Sequence, residues 1–257
     1  MSGTCGGRRA NRGLRLRRYD QEGRAIIMGN RSDEISKIVT RAIISKHLLP
    51  GCKLSEQTLA DLFDVSRAVV RQALIRVSDD GLVTMERNKG AFVSRPSFRE
   101  AVEIYDALTM LEQGVAAQLS GLFYARDWCE LRQHVERQNK AVEDKNDELA
   151  DQLGSGFHEV LVRLSRNTVV QQMHAQLIRR TALLRSLVSS RFDYCGLLHD
   201  HEVLVDLLEE GRIAEAQKLI ATHHNDVVKG YLMDEESHTE VNAREALERY
   251  VSKPKVA

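Results

Sequence analysis

Apolar positions in the first third of the chain fall into short helical stripes followed by an alternating pair. Between Ser32 and Lys46, Ile35, Ile38, Val39, Ala42 and Ile43 recur at helical spacing, and Asp33 and Glu34 occupy the first turn, where the helix dipole favours acids. This predicts a first helix, which Pro50-Gly51 breaks. Ser55 then opens a second helix through Leu59, Ala60 and Phe63. After the tight connection "FDV", Ser66 caps a third, whose stripe Val70, Leu74 and Val77 runs until Gly81. Two short helices joined by a tight turn form a helix-turn-helix. Two β-prone runs follow, Leu82 to Arg87 and Gly90 to Ser94, around a polar turn, and they read as a hairpin. The order helix, helix-turn-helix, hairpin describes a winged helix over residues 30–94, with Arg87, Asn88, Lys89 and Gly90 at the wing tip.

Residues 95–97 read as a linker, and Ser97 with Glu100 forms a capping box that opens a second domain over residues 98–235. To about Met233 the pattern keeps a helical period, with breaks near Tyr124, Asp147, Asn167, the "SSRFDYCG" loop and Gly211. No strand pattern interrupts these six predicted helices, so the expected fold is mainly α: a winged helix-turn-helix plus an all-α antiparallel bundle. The end, residues 236–257, reads as a tail holding at most one short helix, too polar to enter a core.

Charge sharpens this division. The 257 residues sum to zero, yet residues 1–29 carry about +5, residues 30–94 carry +2 and residues 95–257 carry −7. Polyanion binding therefore fits the first third and not the remainder. Residues 1–29 are Gly- and Arg-rich without an amphipathic period and read as a disordered basic tail: an arm for DNA phosphates or an over-long start, Met28 standing just before the first helix. No stretch approaches the roughly 18 apolar residues that a membrane crossing needs. Cys5, Cys52, Cys129 and Cys195 are scattered without a CxxC pair, so a reducing cytoplasm is the expected compartment.

On the third helix Arg67 and Arg71 lie one turn apart and off the apolar stripe, so both side chains leave the core together. An isolated pair of this kind is usually a solvated face. Here Ser66 precedes it, the second helix offers Gln57 and the wing offers Arg87, Lys89 and Gly90, a set suited to phosphates and guanine edges of double-stranded DNA. The run "LLPGCKLSEQTLADLFDVSRAVVRQALIRVSDDGLVTMERNKGAFV" resembles the winged-helix domain of the GntR family of bacterial regulators. That resemblance implies that Arg67 and Arg71 contact operator DNA, with Gln57 as a third contact and the wing at Arg87 reaching the adjacent groove. Two positions depart from the family pattern: Val69 stands for a common proline and Gln72 for a usual acid.

Three histidines of the second domain fall on apolar helical faces. His223 follows Ala216, Leu219 and Ile220, His201 shares a face with Leu204, Val205 and Leu208, and His158 precedes Leu161 and Val162. Spacing leaves two readings open: satisfied core residues, or a three-histidine metal site with open coordination positions. "LEQGVAAQLS", "GFHEVLVRLSRN" and "HEVLVDLLEEGRIAEAQKLIATHH" resemble the FCD domain, the effector module of the FadR branch of the same family. The resemblance implies a divalent metal such as zinc on His158, His201 and His223, with Glu112 near a small organic acid; Arg180 either supplies a positive charge near that pocket or is a solvated helix residue beside Arg179. His224 lies about 100° further round its helix and is expected outside the ligand set. The family's aspartate ligand is Gly154 here, Asp151 is almost two turns away from His158, and an arginine common four residues before Glu112 is Leu108.

The combined expectation is a homodimeric, soluble transcription regulator, a repressor, whose operator binding responds to a small carboxylate in the helical domain. Two rivals remain at this point: a metal-dependent hydrolase using the three histidines, and an architectural DNA binder with no effector. The first needs a well-placed general base, which Gly154 does not supply.

Overall fold

The computed structural model describes residues 31–119, 125–186, 194–230 and 242–252, with only the backbone described at 125–127, 194–196 and 252. The predicted basic tail and most of the "SSRFDYCG" loop lie outside the described residues. The chain divides into two compact units, Met1–Ser94 with Glu240–Ala257, and Arg95–Thr239.

In the first unit α1 (Arg31–Ile44), α2 (Glu56–Phe63) and α3 (Arg67–Asp79) bury Ile35, Val39, Ile43, Leu59, Phe63, Val70, Leu74 and Val77 against one another. Each helix of the helix-turn-helix begins at a serine. Ser55 Oγ accepts from the Thr58 amide at 3.3 Å and Ser66 Oγ from the Val69 amide at 3.4 Å, so an otherwise unpaired first-turn N–H gains a partner. The turn between α2 and α3 is tight because Asp64 adopts a left-handed conformation, φ 53°. The wing pairs β2 (Val83–Glu86) with β3 (Gly90–Val93), register Glu86↔Gly90, and Gly90 takes φ 105°, which a Cβ would strain. One strand escapes the sequence pattern: β1 (Lys53–Leu54) pairs with β3 and completes the sheet order β1-β3-β2. Two residues are too few to show a period of two.

The chain end also departs from expectation. Helix α10 (Ala243–Ser252) packs on α2 and α1 as part of the first unit, burying Ala243 and Leu247. Asn242 Oδ1 accepts from the Arg244 amide at 3.0 Å to start it, and the Tyr250 ring meets His47 edge-on at 5.1 Å. The polar composition that read as a tail covers only the outer faces; Ala243 and Leu247, four residues apart, are enough to seat one side of a short helix.

The second unit holds α4 (Phe98–Leu119), α5 (Ala125–Glu143), α6 (Asp147–Leu164), α7 (Thr168–Arg185), α8 (Tyr194–Glu209) and α9 (Ile213–Gly230), with no strand among its described residues. Ser97 Oγ accepts from the Glu100 amide, and Asn167 Oδ1 accepts from Val169 and Val170, so α4 and α7 start at side-chain caps. Leu131, Phe157, Leu161, Leu204, Val205 and Ile220 form one core; Ala101, Ile104, Leu108, Ile178 and Leu184 form another. Helices α4 and α9 lie along each other, fixed in register by reciprocal bonds from Gln113 to the Gln217 carbonyl, 2.9 Å, and from Gln217 to the Gln113 carbonyl, 3.1 Å. Among the described residues no helix is long and apolar enough to cross a membrane.

Candidate DNA-reading face and histidine pocket

The stripe Val70, Leu74, Val77 turns one side of α3 into the core, which leaves Arg67 and Arg71 with side chains 65% exposed. Both extend toward Glu56 in the first turn of α2, at 3.5 and 4.0 Å. Gln57, the next residue of α2, is exposed and donates to Asp61 at 2.9 Å. The guanidinium ends of Arg67 and Arg71 are exposed and at long range from Glu56, so a phosphate or base edge can compete for them. Arg76, two turns further along α3, is instead paired to Asp33 of α1. At the wing tip Arg87, Lys89 and Gly90 are exposed, and Lys89 pairs with Glu86 at 3.0 Å.

The second unit gathers its histidines in the interior. His158 of α6, His201 of α8 and His223 of α9 are buried, and one ring nitrogen from each lies within 4.8 Å of the others. Each has a partner at Nδ1: Glu112 Oε2 for His158 at 2.9 Å, Gln138 Oε1 for His201 at 2.8 Å and Asp200 Oδ2 for His223 at 3.0 Å. Burial, reinforced by His158 and His223 nearby, holds His201 well below its usual range, and burial likewise lowers His223. These two imidazoles are therefore neutral near pH 7, the form that ligates metal. His201 also stacks on Phe157 at 4.2 Å, which fixes its ring plane.

A cavity of about 80 Å³ opens on this cluster. Tyr105, Leu108, Ile178, Leu197, Leu198 and Val227 supply apolar walls, and Asp151, Ser155, Thr181 and Arg185 supply polar groups. Arg185 donates to Thr181 Oγ1 at 2.7 Å and stands 3.4 Å from Asp151. Gly154 also lines the cavity; a Cβ there would meet Leu198 Cδ2 at 3.0 Å, so Leu198 fills the space beside it.

Two residues expected at this pocket do not line its cavity. Arg180 does not line the cavity, because it pairs with Glu100; the arginine that does is Arg185. The signal was present in the stripe His174, Ile178, Thr181, Arg185 on α7, which places Arg180 one step off the inward face. Glu112 is the other residue expected beside the effector. It is fully buried, its oxygens bonded by His158 and by His174 Nε2 at 2.9 Å, and it does not line the cavity. Burial alone would raise its carboxyl, but His158 and His224 beside it and the bonds from His158 and His174 hold it well below the usual range. His224 stays off the three-histidine cluster, yet it turns inward: Nε2 lies 3.5 Å from Glu112, Nδ1 is 2.8 Å from Thr109 Oγ1, and burial lowers it to about 3. The partners Gln138, His174 and Asp200 went unread, since each contact joins residues far apart in sequence.

Comparison with known proteins agrees with both halves. Residues 31–93 match the model for bacterial regulatory proteins of the gntR family, and residues 103–226 match the FCD domain; together they cover more than half of the chain. The HTH-type transcriptional repressor RspR of Escherichia coli K12 is 26% identical over 134 residues, 52% of this chain, and the chain spans only 59% of RspR's length. The Nta operon transcriptional regulator of Aminobacter aminovorans is 26% identical over 188 residues, covering 72% of this chain and 89% of that protein. A GntR transcriptional regulator from Rhodococcus sp. RHA1 shares the fold with a TM-score of 0.70 at 24% identity, covering 79% of this chain and 98% of its own. The chain belongs to the GntR family of bacterial regulatory proteins, with an FCD domain as its helical unit.

Proposed function

We propose that the protein is a homodimeric transcription repressor that reads paired operator half-sites with its winged helix and is controlled by a small organic acid in the helical unit. The observation that carries this reading is the pair Arg67 and Arg71, exposed one turn apart behind the Ser66 cap and extended toward Glu56. Inserted at a major groove, two such guanidinium groups bond phosphates or guanine edges, with Gln57 beside them and Arg87, Lys89 and Gly90 of the wing against the neighbouring backbone. A duplex selected from a random-sequence pool provides the test. Arg71→Ala should weaken binding to it by about 1–3 kcal/mol without changing the fold, and unchanged affinity would overturn the assignment.

For the helical unit, His158, His201 and His223 fit a divalent cation such as zinc. His201 Nε2 is buried without a hydrogen-bond partner among the described residues, as expected of an atom kept for a ligand. The neighbouring carboxylate of Glu112, fully buried, offsets positive charge through His158. When bound, the cation supplies a Lewis-acidic centre for an oxygen ligand. The chain's own residues do the remainder: Tyr105, Leu108 and Val227 exclude water, and Arg185, held by Asp151 and Thr181, places a positive charge in the cavity for a carboxylate. Control of DNA binding follows if the acid prefers one arrangement of the protein over the other. Metal analysis together with a thermal-shift screen of carboxylates, with and without chelator, tests this half. The hydrolase reading loses ground because the family is one of regulators, and Asp151, the carboxylate at the cavity, is engaged by Arg185.

A further inference from the structure

We propose that Gln138 and Asp200 are positioning residues that hold His201 and His223 in the tautomer a cation requires. This rests on the reading that the three histidines bind a divalent cation. Gln138 of α5 is fully buried, and its Nε2 donates to the Leu198 carbonyl of α8 at 3.0 Å. A carbonyl only accepts, so the amide orientation is fixed and Oε1 must be the atom that faces His201 Nδ1 at 2.8 Å. Nδ1 therefore carries the proton, and the lone pair of His201 is at Nε2, the buried atom with no hydrogen-bond partner among the described residues.

Asp200 does the same for His223. Its carboxylate accepts from Nδ1 at 3.0 Å, which leaves Nε2 unprotonated. With Glu112 serving His158, each ring has its own acceptor, drawn from α4, α5 and α8. Of the three, Gln138 is neutral, so its contribution is orientation rather than charge. It also ties His201 to the backbone of its own helix one turn earlier, which resists rotation of the ring.

The experiment is zinc affinity of the full-length protein, measured by competition with a chromophoric chelator, beside the visible absorption of the cobalt(II) form. Gln138→Met keeps the volume and removes both bonds; Gln138→Glu keeps an acceptor for His201. The methionine variant should bind zinc 10–100-fold more weakly with a shifted cobalt spectrum, while the metal-free protein keeps its helical circular dichroism. The glutamate variant should recover most of the loss. Should Gln138→Met not fold, Asp200→Ala applies the same measurement through His223, a partner nearer the surface. Wild-type affinity and an unchanged cobalt spectrum in these variants overturn the proposal alone. No zinc binding by the wild-type protein overturns the metal reading, and this inference with it.

Discussion

The two candidate sites are built on opposite principles. On α3 the functional groups are solvent-exposed, weakly held and carried by one helix, so they are free to exchange Glu56 for DNA. In the helical unit they are buried, each ring held by a partner at one nitrogen, and assembled from α4, α5, α6, α7, α8 and α9. The difference teaches where failure shows itself. Changes at the arginines of the first face cost recognition and spare the fold, whereas changes in the second reach packing before they reach ligand binding.

The largest expected effect lies in the buried site. Phe157 is fully buried and stacked on His201, so Phe157→Ala should cost about 3–5 kcal/mol of stability, read by denaturant unfolding of the full chain. A loss under 1 kcal/mol would mean that the pocket is not packed as described. Metal removal comes next. If the histidines hold zinc, free metal at a hundred times its dissociation constant stabilises the native state by about 2.7 kcal/mol, and chelation should lower the melting temperature accordingly. His201→Ala should abolish that difference.

The exposed face should answer differently. Ser66→Ala removes the cap of α3 and should cost about 0.5–2 kcal/mol in stability, with operator affinity falling as the helix start frays. Smallest of all is Arg180→Ala. Its pair with Glu100 is partly exposed, so the change should stay within about 1 kcal/mol and leave effector binding intact, whereas Arg185→Ala should weaken a carboxylate effector. Equal effects at the two arginines would erase the distinction between them.

What the sequence disclosed follows the same contrast. The helix-turn-helix was legible because it is local: the Ser66 cap, the stripe Val70, Leu74, Val77 and the arginines off that stripe all lie within twelve residues. The inward histidines were legible one helix at a time, by period. Their partners were not, since Gln138 and His201 are 63 residues apart and Glu112 and His174 are 62 apart. No spacing rule links such positions. The short helix at the chain end was allowed for, but its seat was not, for a related reason: packing on α1 and α2 asks for only a narrow apolar edge, and the polar remainder of α10 resembles a solvated tail.

The central claim is that the exposed guanidinium pair of α3 reads DNA. Fluorescence anisotropy on the pool-selected duplex, comparing the wild-type protein with Arg67→Ala/Arg71→Ala, tests it most directly. The account predicts a loss of binding larger than the roughly 1–3 kcal/mol of one arginine alone, with an unchanged melting temperature. Equal affinity of the two proteins for that duplex would contradict it.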